Sequence, residues 1–240
     1  MGFAHPLYVT PGYNSAWSRV LALEARSRLV HVGSNPAIPT YINGEYMSIK
    51  FSILTPWLPP RLSIHQSIGY VNNQTYQNWE HLISIDRLGF NLESDDERRK
   101  IRPCLVEHNT WGNSCRHNLW AEATGDWILY LDDDDILYPG ALAEVAQAIE
   151  ANPGLDWGYF AIKLGTNKFF NYPPGGGLIT GGQIFHRRIL LDGSEGRWYD
   201  NGNYGADWDL IYQRFVKPER TPILIDKVLG ELPKHGVGKV

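Results

Sequence analysis

Trp127-Ile128-Leu129-Tyr130-Leu131-Asp132-Asp133-Asp134-Asp135 is the stretch whose reading decides the fold. Five apolar and aromatic residues, entered through Gly125-Asp126, read as a short strand buried on both faces. Four consecutive carboxylates stand where that strand runs out into a loop. Such neighbours repel one another, and at a strand end they destabilise the fold unless a cation neutralises them. Oxygen-only ligands suit a hard divalent ion, Mg²⁺ or Mn²⁺, which keeps positions open for substrate phosphates. The competing reading is a solvated acidic turn that caps the next helix. The abrupt junction of buried strand and carboxylates favours the ion, because open α/β sheets bind ligands at the carboxyl ends of their strands.

The whole chain sets the scale. Its 240 residues are 43% hydrophobic and 20% charged, with a formal net charge of −4. That is enough for one α/β domain with a substantial core. Mild acidity argues against a broad nucleic-acid surface, so no nucleic-acid partner is expected. Cys104 and Cys115 are the two cysteines, without CxxC spacing, and they fit a reducing, cytoplasmic setting. No apolar run reaches membrane-spanning length, which leaves peripheral membrane association open. Nine Trp and thirteen Tyr are suited to core packing and also to sugar and base pockets.

Working outward from the central strand, alternation of strand and helix is expected on both sides. Residues 1–46 mix Pro, Gly, Asn and Ser around one candidate helix, Ala16 to Leu29. Met47-Ser48-Ile49-Lys50 reads as a translation start, so residues 1–46 are expected to be an appendage and 47–240 the domain. Phe51 to Thr55 reads as a buried strand, Leu62 to Asn73 as a helix, and Trp79 to Ile85 as a second strand ending at Asp86. Glu93 to Lys100 reads as a solvated helix or loop, and Pro103 to Glu107 as a weak strand. A helix is expected over Asn113 to Ala123, capped by Asn113 or Ser114. Pro139 stands at an expected first helical position, with Leu142, Val145 and Ile149 as the apolar stripe. Trp157 to Leu164 is a strand, and Ile184-Phe185 a short apolar piece. Residues 165–182 contain eight Gly or Pro and read as a mobile loop, of which the Gly-rich part, 173–182, is a candidate lid. Ala206 to Val216 is helical and Pro222 to Glu231 a last strand. The sum is a mostly parallel central sheet with helices on both faces.

Four of these pieces together resemble the family 2 glycosyltransferases of GT-A fold, a Rossmann-like three-layer sandwich. They are Ser52-Ile53-Leu54-Thr55-Pro56; Asn73 to Glu80; Arg116-His117-Asn118 leading through Gly125-Asp126 into Leu131-Asp132-Asp133-Asp134-Asp135; and Gly205-Ala206-Asp207-Trp208-Asp209-Leu210. The resemblance covers roughly residues 50–215. It implies an Asp-x-Asp motif at Asp132 and Asp134, with Asp135 as a further acid and Asp133 in the variable slot on the nucleotide side. It implies a nucleotide diphosphate sugar, UDP-sugar favoured, as donor. Thr55, Pro56, Trp57, Asp86, Arg116 and Asn118 match donor-binding positions, and Asp86 matches a carboxylate that accepts from a uracil N–H. Asp207 matches the catalytic base, and His235 matches a metal or diphosphate contact. Three departures stand out. Trp57-Leu58-Pro59 replaces a customary Asn, Asp86-Arg87-Leu88-Gly89 replaces a paired-aspartate turn, and Ala206 replaces a Glu.

Five of the matched residues have a plainer alternative. Asp86 is a turn former, Trp57 core filler, Asp207 a helix cap, Arg116 a carboxylate partner and His235 a surface residue. His108, His117 and His186 lack partners at metal spacing and read as structural. The expected function is a metal-dependent inverting glycosyltransferase, acting on an unknown glycan, lipid or other acceptor. The alternatives are a nucleotide-sugar-binding module without turnover and a nucleotidyltransferase. The latter wants a Gly-rich basic phosphate loop, which Thr55 to Pro60 is not.

Overall fold

Alternation along the strands shows how the sheet is buried. Phe51 and Ile53 belong to one apolar cluster and Leu54 to another; Trp127 and Leu129 divide from Ile128 and Tyr130 in the same way. Phe160 and Ile162 likewise divide from Trp157 and Tyr159. Side chains of a strand point to opposite faces with period two, so these clusters lie on the two faces of one sheet. The computed structural model describes residues 41–42, 45–46, 48–104, 112–165, 167–169, 174–175, 179–191 and 206–232. The expected helix at Ala16–Leu29, His108 and His235 lie outside them.

Eleven described strands are β1 (Tyr41–Ile42), β2 (Glu45–Tyr46), β3 (Phe51–Trp57), β4 (Trp79–Ile85), β5 (Arg99–Pro103), β6 (Trp127–Tyr130), β7 (Ile136–Leu137), β8 (Trp157–Leu164), β9 (Asn167–Phe169), β10 (Ile184–Arg187) and β11 (Ile223–Leu232). The described α-helices are α1 (Ser63–Asn72), α2 (Asn113–Trp120), α3 (Ala141–Glu150) and α4 (Ala206–Ile211), the last continued by one wide turn over Tyr212–Val216. β1 and β2 pair as a small ribbon. The main sheet runs β5-β4-β3-β6-β10-β8-β11-β7, with β9 beside β8. β5, β4, β3 and β6 are parallel neighbours, and β8 is parallel to β11. β10 is antiparallel to both β6 and β8, so those two share a direction across it. Six strands of the main sheet therefore run one way, and their carboxyl ends open on one side.

Helices cover both faces. Val71 of α1 and Leu142, Val145 and Ile149 of α3 join one apolar cluster; Leu119 of α2 and Leu210 and Ile211 of α4 join the other. Ile184-Phe185, expected only as a short apolar piece, is the middle of the sheet. Phe185 pairs with Leu129 on one side and Gly158 on the other.

The stretch 165–182, expected as a mobile loop, holds β9 and a 3₁₀ turn at Gly181–Gln183, with 166, 170–173 and 176–178 outside the described residues, and three further boundaries differ from the expectation. A strand runs over Arg99–Pro103, beginning in the last two residues of the run expected to be solvated, while residues 105–107 of the strand expected over Pro103 to Glu107 lie outside the described residues. Arg99 is buried there because its guanidinium donates to Asn72 Oδ1 at 2.6 Å, Ser94 Oγ at 3.0 Å and His81 Nδ1 at 3.2 Å. At α2 the cap is Gly112, with φ 76°, and Asn113 and Ser114 are buried inside the helix. A β-carbon at Gly112 would stand 2.8 Å from Pro56 Cβ, so both the left-handed backbone and the close approach call for glycine. Finally, Pro139 precedes α3 by two residues, because Ile136–Leu137 first pairs with Gly230 and Glu231 of β11.

Candidate active site

The carboxyl ends of β3 and β6 meet beside the acidic run. Leu131 N–H donates to Leu54 O at 3.1 Å, which fixes the last turn before the aspartates. Asp135 N–H then donates to Asp132 O at 3.1 Å, closing the four carboxylates into a tight turn. The four do not share one environment. Asp133 is 3% exposed and accepts from Leu58 N–H at 3.3 Å and from Arg61 Nη1 at 3.4 Å. Asp134 also faces Arg61, at 3.4 Å, while the Asp132 side chain is 40% exposed and pairs with Arg116 Nη2. Asp135 lies next to the Gly181–Gln183 turn, where a β-carbon on Gly182 would meet its carboxylate at 3.1 Å.

Charge crowding is visible in the acidities. Burial first, then Asp134, pushes the Asp133 carboxyl up to about 7, with Arg61 and the Leu58 N–H opposing. Burial, then Asp132 and Asp134, holds Asp135 well above the usual carboxylate range, with Arg116 opposing. Two guanidiniums thus fail to balance four carboxylates. An all-oxygen donor set with residual negative charge fits a hard divalent cation.

Arg116 joins the acidic run to α4. It is 6% exposed in the first turn of α2, and burial opposes its charge. Asp132 and then Asp207 outweigh that penalty and keep its affinity for the proton high. Asp207, the second residue of α4, accepts from Gly181 N–H through Oδ2 at 3.1 Å. The turn at Gly181-Gly182 therefore touches Asp207 on one side and Asp135 on the other. Asp209 is exposed; burial and then Asp207 raise its carboxyl.

The remaining sequence candidates distribute unevenly. Thr55 is fully buried and its Oγ1 lies 2.9 Å from His81 Nε2. Because Arg99 Nε donates to Nδ1 of His81, and burial then Arg99 lower that imidazole to about 3, the ring is neutral and Nε2–H donates to Thr55. Thr55 is thus directed into β4. Trp57 is 6% exposed and sits in an apolar cluster with Ile64, Ile83 and Ile85. Its indole N–H donates to Arg61 O at 2.8 Å and holds the loop that presents Arg61. Pro56 contacts the Gly112 turn below Arg116. Asp86, 5% exposed, ends β4, and its N–H donates to Trp57 O at 2.8 Å. Asn118 Nδ2 donates to Cys104 Sγ at 3.7 Å.

The structure thus brings Asp132 to Asp135, Arg116 and Asp207 together, with Pro56, Trp57 and Asp86 on the flank towards β4. Sequence reasoning missed Arg61, and it placed Gly181-Gly182 in a candidate lid without the contacts to Asp207 and Asp135. Their roles come from contacts 72 and 26 residues away, which local pattern does not encode.

Comparison with known proteins gives this geometry a context. Residues 61–189 match the family described as glycosyl transferase family 2. A Campylobacter jejuni protein, GalNAc(5)-diNAcBac-PP-undecaprenol beta-1,3-glucosyltransferase, is 30% identical over 113 residues, 44% of this chain and 35% of that protein. An uncharacterized glycosyltransferase of Haemophilus influenzae is 28% identical over 143 residues, 58% of this chain and 48% of its own length. The chain spans about a third to a half of these curated relatives. Among solved structures, residues 1–349 of S. aureus TarS in complex with UDP-GlcNAc superpose with a TM-score of 0.62 at 15% identity, covering 79% of this chain and 60% of that one. The Pyrobaculum calidifontis mannosyltransferase PcManGT, in complex with GDP-Man and Mn²⁺, gives 0.60 at 15% identity, covering 92% and 66%. At such identity the likeness is one of fold.

Proposed function

The chain belongs to glycosyl transferase family 2 and has the GT-A fold, and from that premise we propose that it transfers a sugar from a nucleotide diphosphate sugar to an acceptor hydroxyl with inversion. The observation that carries the reading is the convergence of Asp132 to Asp135, Arg116 and Asp207 where parallel strands end. UDP-sugars are the favoured donors. Asp132 and Asp134 would hold a Mn²⁺ or Mg²⁺ ion, with Asp135 beside them. When bound, that ion supplies Lewis-acid stabilisation to the departing diphosphate.

The chain's own groups have separate tasks. Asp133 is spent on Leu58 and Arg61, so it orders the loop after β3. Arg116, locked in α2, orients Asp132 and adds positive charge on the phosphate side. Asp86 follows β4, where its carboxylate would accept a hydrogen bond from an N–H of the base. Asp207 takes the acceptor's proton as the new bond forms at the anomeric carbon. The name of the Campylobacter relative carries an undecaprenol-linked acceptor, which makes lipid-linked glycans the first acceptors to assay. Among the described residues no helix is long and apolar enough to cross a membrane.

A thermal-shift screen of nucleotide diphosphates, with Mn²⁺ and with chelator, tests the reading. A ligand binding only the native state at a hundredfold its Kd adds about 2.7 kcal/mol of stability. UDP is expected to raise Tm in the presence of Mn²⁺ and to act weakly in chelator. A flat profile across all nucleotides would remove the donor site from the reading.

A further inference from the structure

Cys104, Cys115 and Asp86 come from three elements with no metal-type spacing between them, yet their ligand atoms all lie within 4.8 Å of one another. Asp86 ends β4, Cys104 follows β5 and Cys115 sits in the first turn of α2. All three are buried, at 5%, 5% and 0% exposure. The two thiols are hydrogen-bonded, the Ser84 hydroxyl faces Cys115, and the Asn118 amide donates to the Cys104 sulfur. A second layer of polar groups around sulfur is what orients ligating thiolates elsewhere. Asp86 is followed directly by the exposed residues 87–90, which gives the cluster a short route to solvent.

We propose that Asp86, Cys104 and Cys115 form a binding site for one thiophilic divalent cation of the zinc class, and that its occupation excludes nucleotide recognition by Asp86. Two sulfurs and one carboxylate select a borderline-soft ion over Mg²⁺ or Mn²⁺. Three protein ligands leave one tetrahedral corner open. The all-oxygen acidic run after β6 and this cluster after β4 therefore divide hard and soft cations between two places at the carboxyl ends of the sheet. Loading exchanges thiol protons for the metal, so protons are released to solvent. The exclusion clause rests on Asp86 reading the base as proposed above; the cation site does not.

Cadmium is the probe, because a thiolate-to-metal absorption band reports sulfur ligands and is silent for the acidic run. The reduced full-length chain is titrated with Cd²⁺ in excess Mg²⁺. One equivalent should develop the band and release protons. Cys104→Ser and Cys115→Ser should each weaken binding beyond the ~10–100-fold loss typical of changing an outer partner. Asp86→Asn, which keeps both thiols, should weaken it while retaining the band at higher Cd²⁺. Circular dichroism checks folding, with Cys115→Ala as substitute if the buried serine destabilises. Absence of the band at one equivalent, or its survival in both serine variants, overturns the site. Stoichiometric Zn²⁺ should then weaken UDP binding about tenfold in the parent chain and not in Cys115→Ser, which controls for chelation by the nucleotide. Loading without any change in UDP affinity overturns the exclusion and leaves the cation site standing.

Discussion

The backbone N–H of Gly181 donates to Asp207 Oδ2 over 3.1 Å, so the proposed base is held by a turn and not only by its own helix. The next residue, Gly182, borders the Asp135 carboxylate. One turn therefore sets the spacing between the acidic run and α4. Gly181 opens a 3₁₀ turn, and Thr180 before it is extended, with φ −114° and ψ 159°. That backbone suits a proline at 181, which lacks the N–H. Gly181→Pro is expected to keep the fold, lower kcat about tenfold or more, and leave donor KM unchanged, since a hydrogen bond to a charged group is worth about 1.5–3 kcal/mol. A parallel rise in KM would show that the turn holds the donor instead.

Metal-assisted binding should depend on the two outward aspartates. Asp132 and Asp134 replaced together by Ala relieve mutual repulsion but leave the buried Arg116 without its Asp132 partner, so a folded chain with a lowered Tm in chelator is expected. Calorimetry with UDP should then show no difference between Mn²⁺ and chelator. Retention of a Mn²⁺-dependent gain in the double variant would move the cation elsewhere.

Asp133 carries a pH signature. Its folded carboxyl titrates at about 7, above the ordinary aspartate range. Between about pH 4 and pH 7 the folded chain therefore binds more protons than the unfolded one, and stability falls as pH rises through that window. A shift of this size is worth on the order of a few kcal/mol. Asp133→Asn still accepts from Leu58 N–H and removes the titration. The variant is expected to exceed the parent in Tm by about 5 °C or more at pH 8, with the advantage gone at pH 4. Equal melting curves at both pH values would show that Arg61 already neutralises the group.

Gly125 is a test of packing and owes nothing to catalysis. A β-carbon there would lie 2.6 Å from Ser52 N and 2.7 Å from Phe51 C, both rigid backbone of β3. Its N–H also donates to Ser52 Oγ at 2.8 Å, within the buried Glu80 network. Gly125→Ala should cost about 1–3 kcal/mol, the usual scale of overpacking, seen as a lowered denaturant midpoint with unchanged slope. An unchanged midpoint would mean that β3 and β6 part easily.

β3, β4, β6 and β8 were legible because each is a short run rich in aromatic and aliphatic residues that ends at Pro, Asp or Gly, although β4 also buries Glu80, His81 and Ser84. β10 was not. Its four residues carry little pattern, and Phe185 is placed by Leu129 and Gly158, 56 and 27 residues distant. β5 was hidden by charge, since Arg99 looks solvated until His81, Ser94 and Asn72 are seen around it. The carboxylates of the site were readable as a run, whereas their unequal burial was not. Only the fold turns Asp133 inward to Leu58 and leaves Asp132 beside Arg116. The cysteines illustrate the same limit, since eleven residues of separation conceal a spatial pair.

The last prediction concerns Asp207 against Asp209. Two residues apart on a helix, they diverge by about 200°, and in α4 Asp209 is exposed while Asp207 reaches Gly181. The turn fixes one Asp207 oxygen, and the acceptor hydroxyl is expected at the other. Replacement by Asn preserves shape and can still accept from Gly181, yet it removes the basic carboxylate. Asp207→Asn should therefore lose about 10²-fold or more in turnover, the scale of a general base, with UDP affinity in Mn²⁺ nearly unchanged. Asp209→Asn should stay within a few-fold of the parent. Both are assayed side by side for transfer and, without acceptor, for donor hydrolysis. If Asp209→Asn were the crippled variant, the base would lie on the other flank of α4. If both variants turned over like the parent, the acceptor's proton would leave by a route that α4 does not supply.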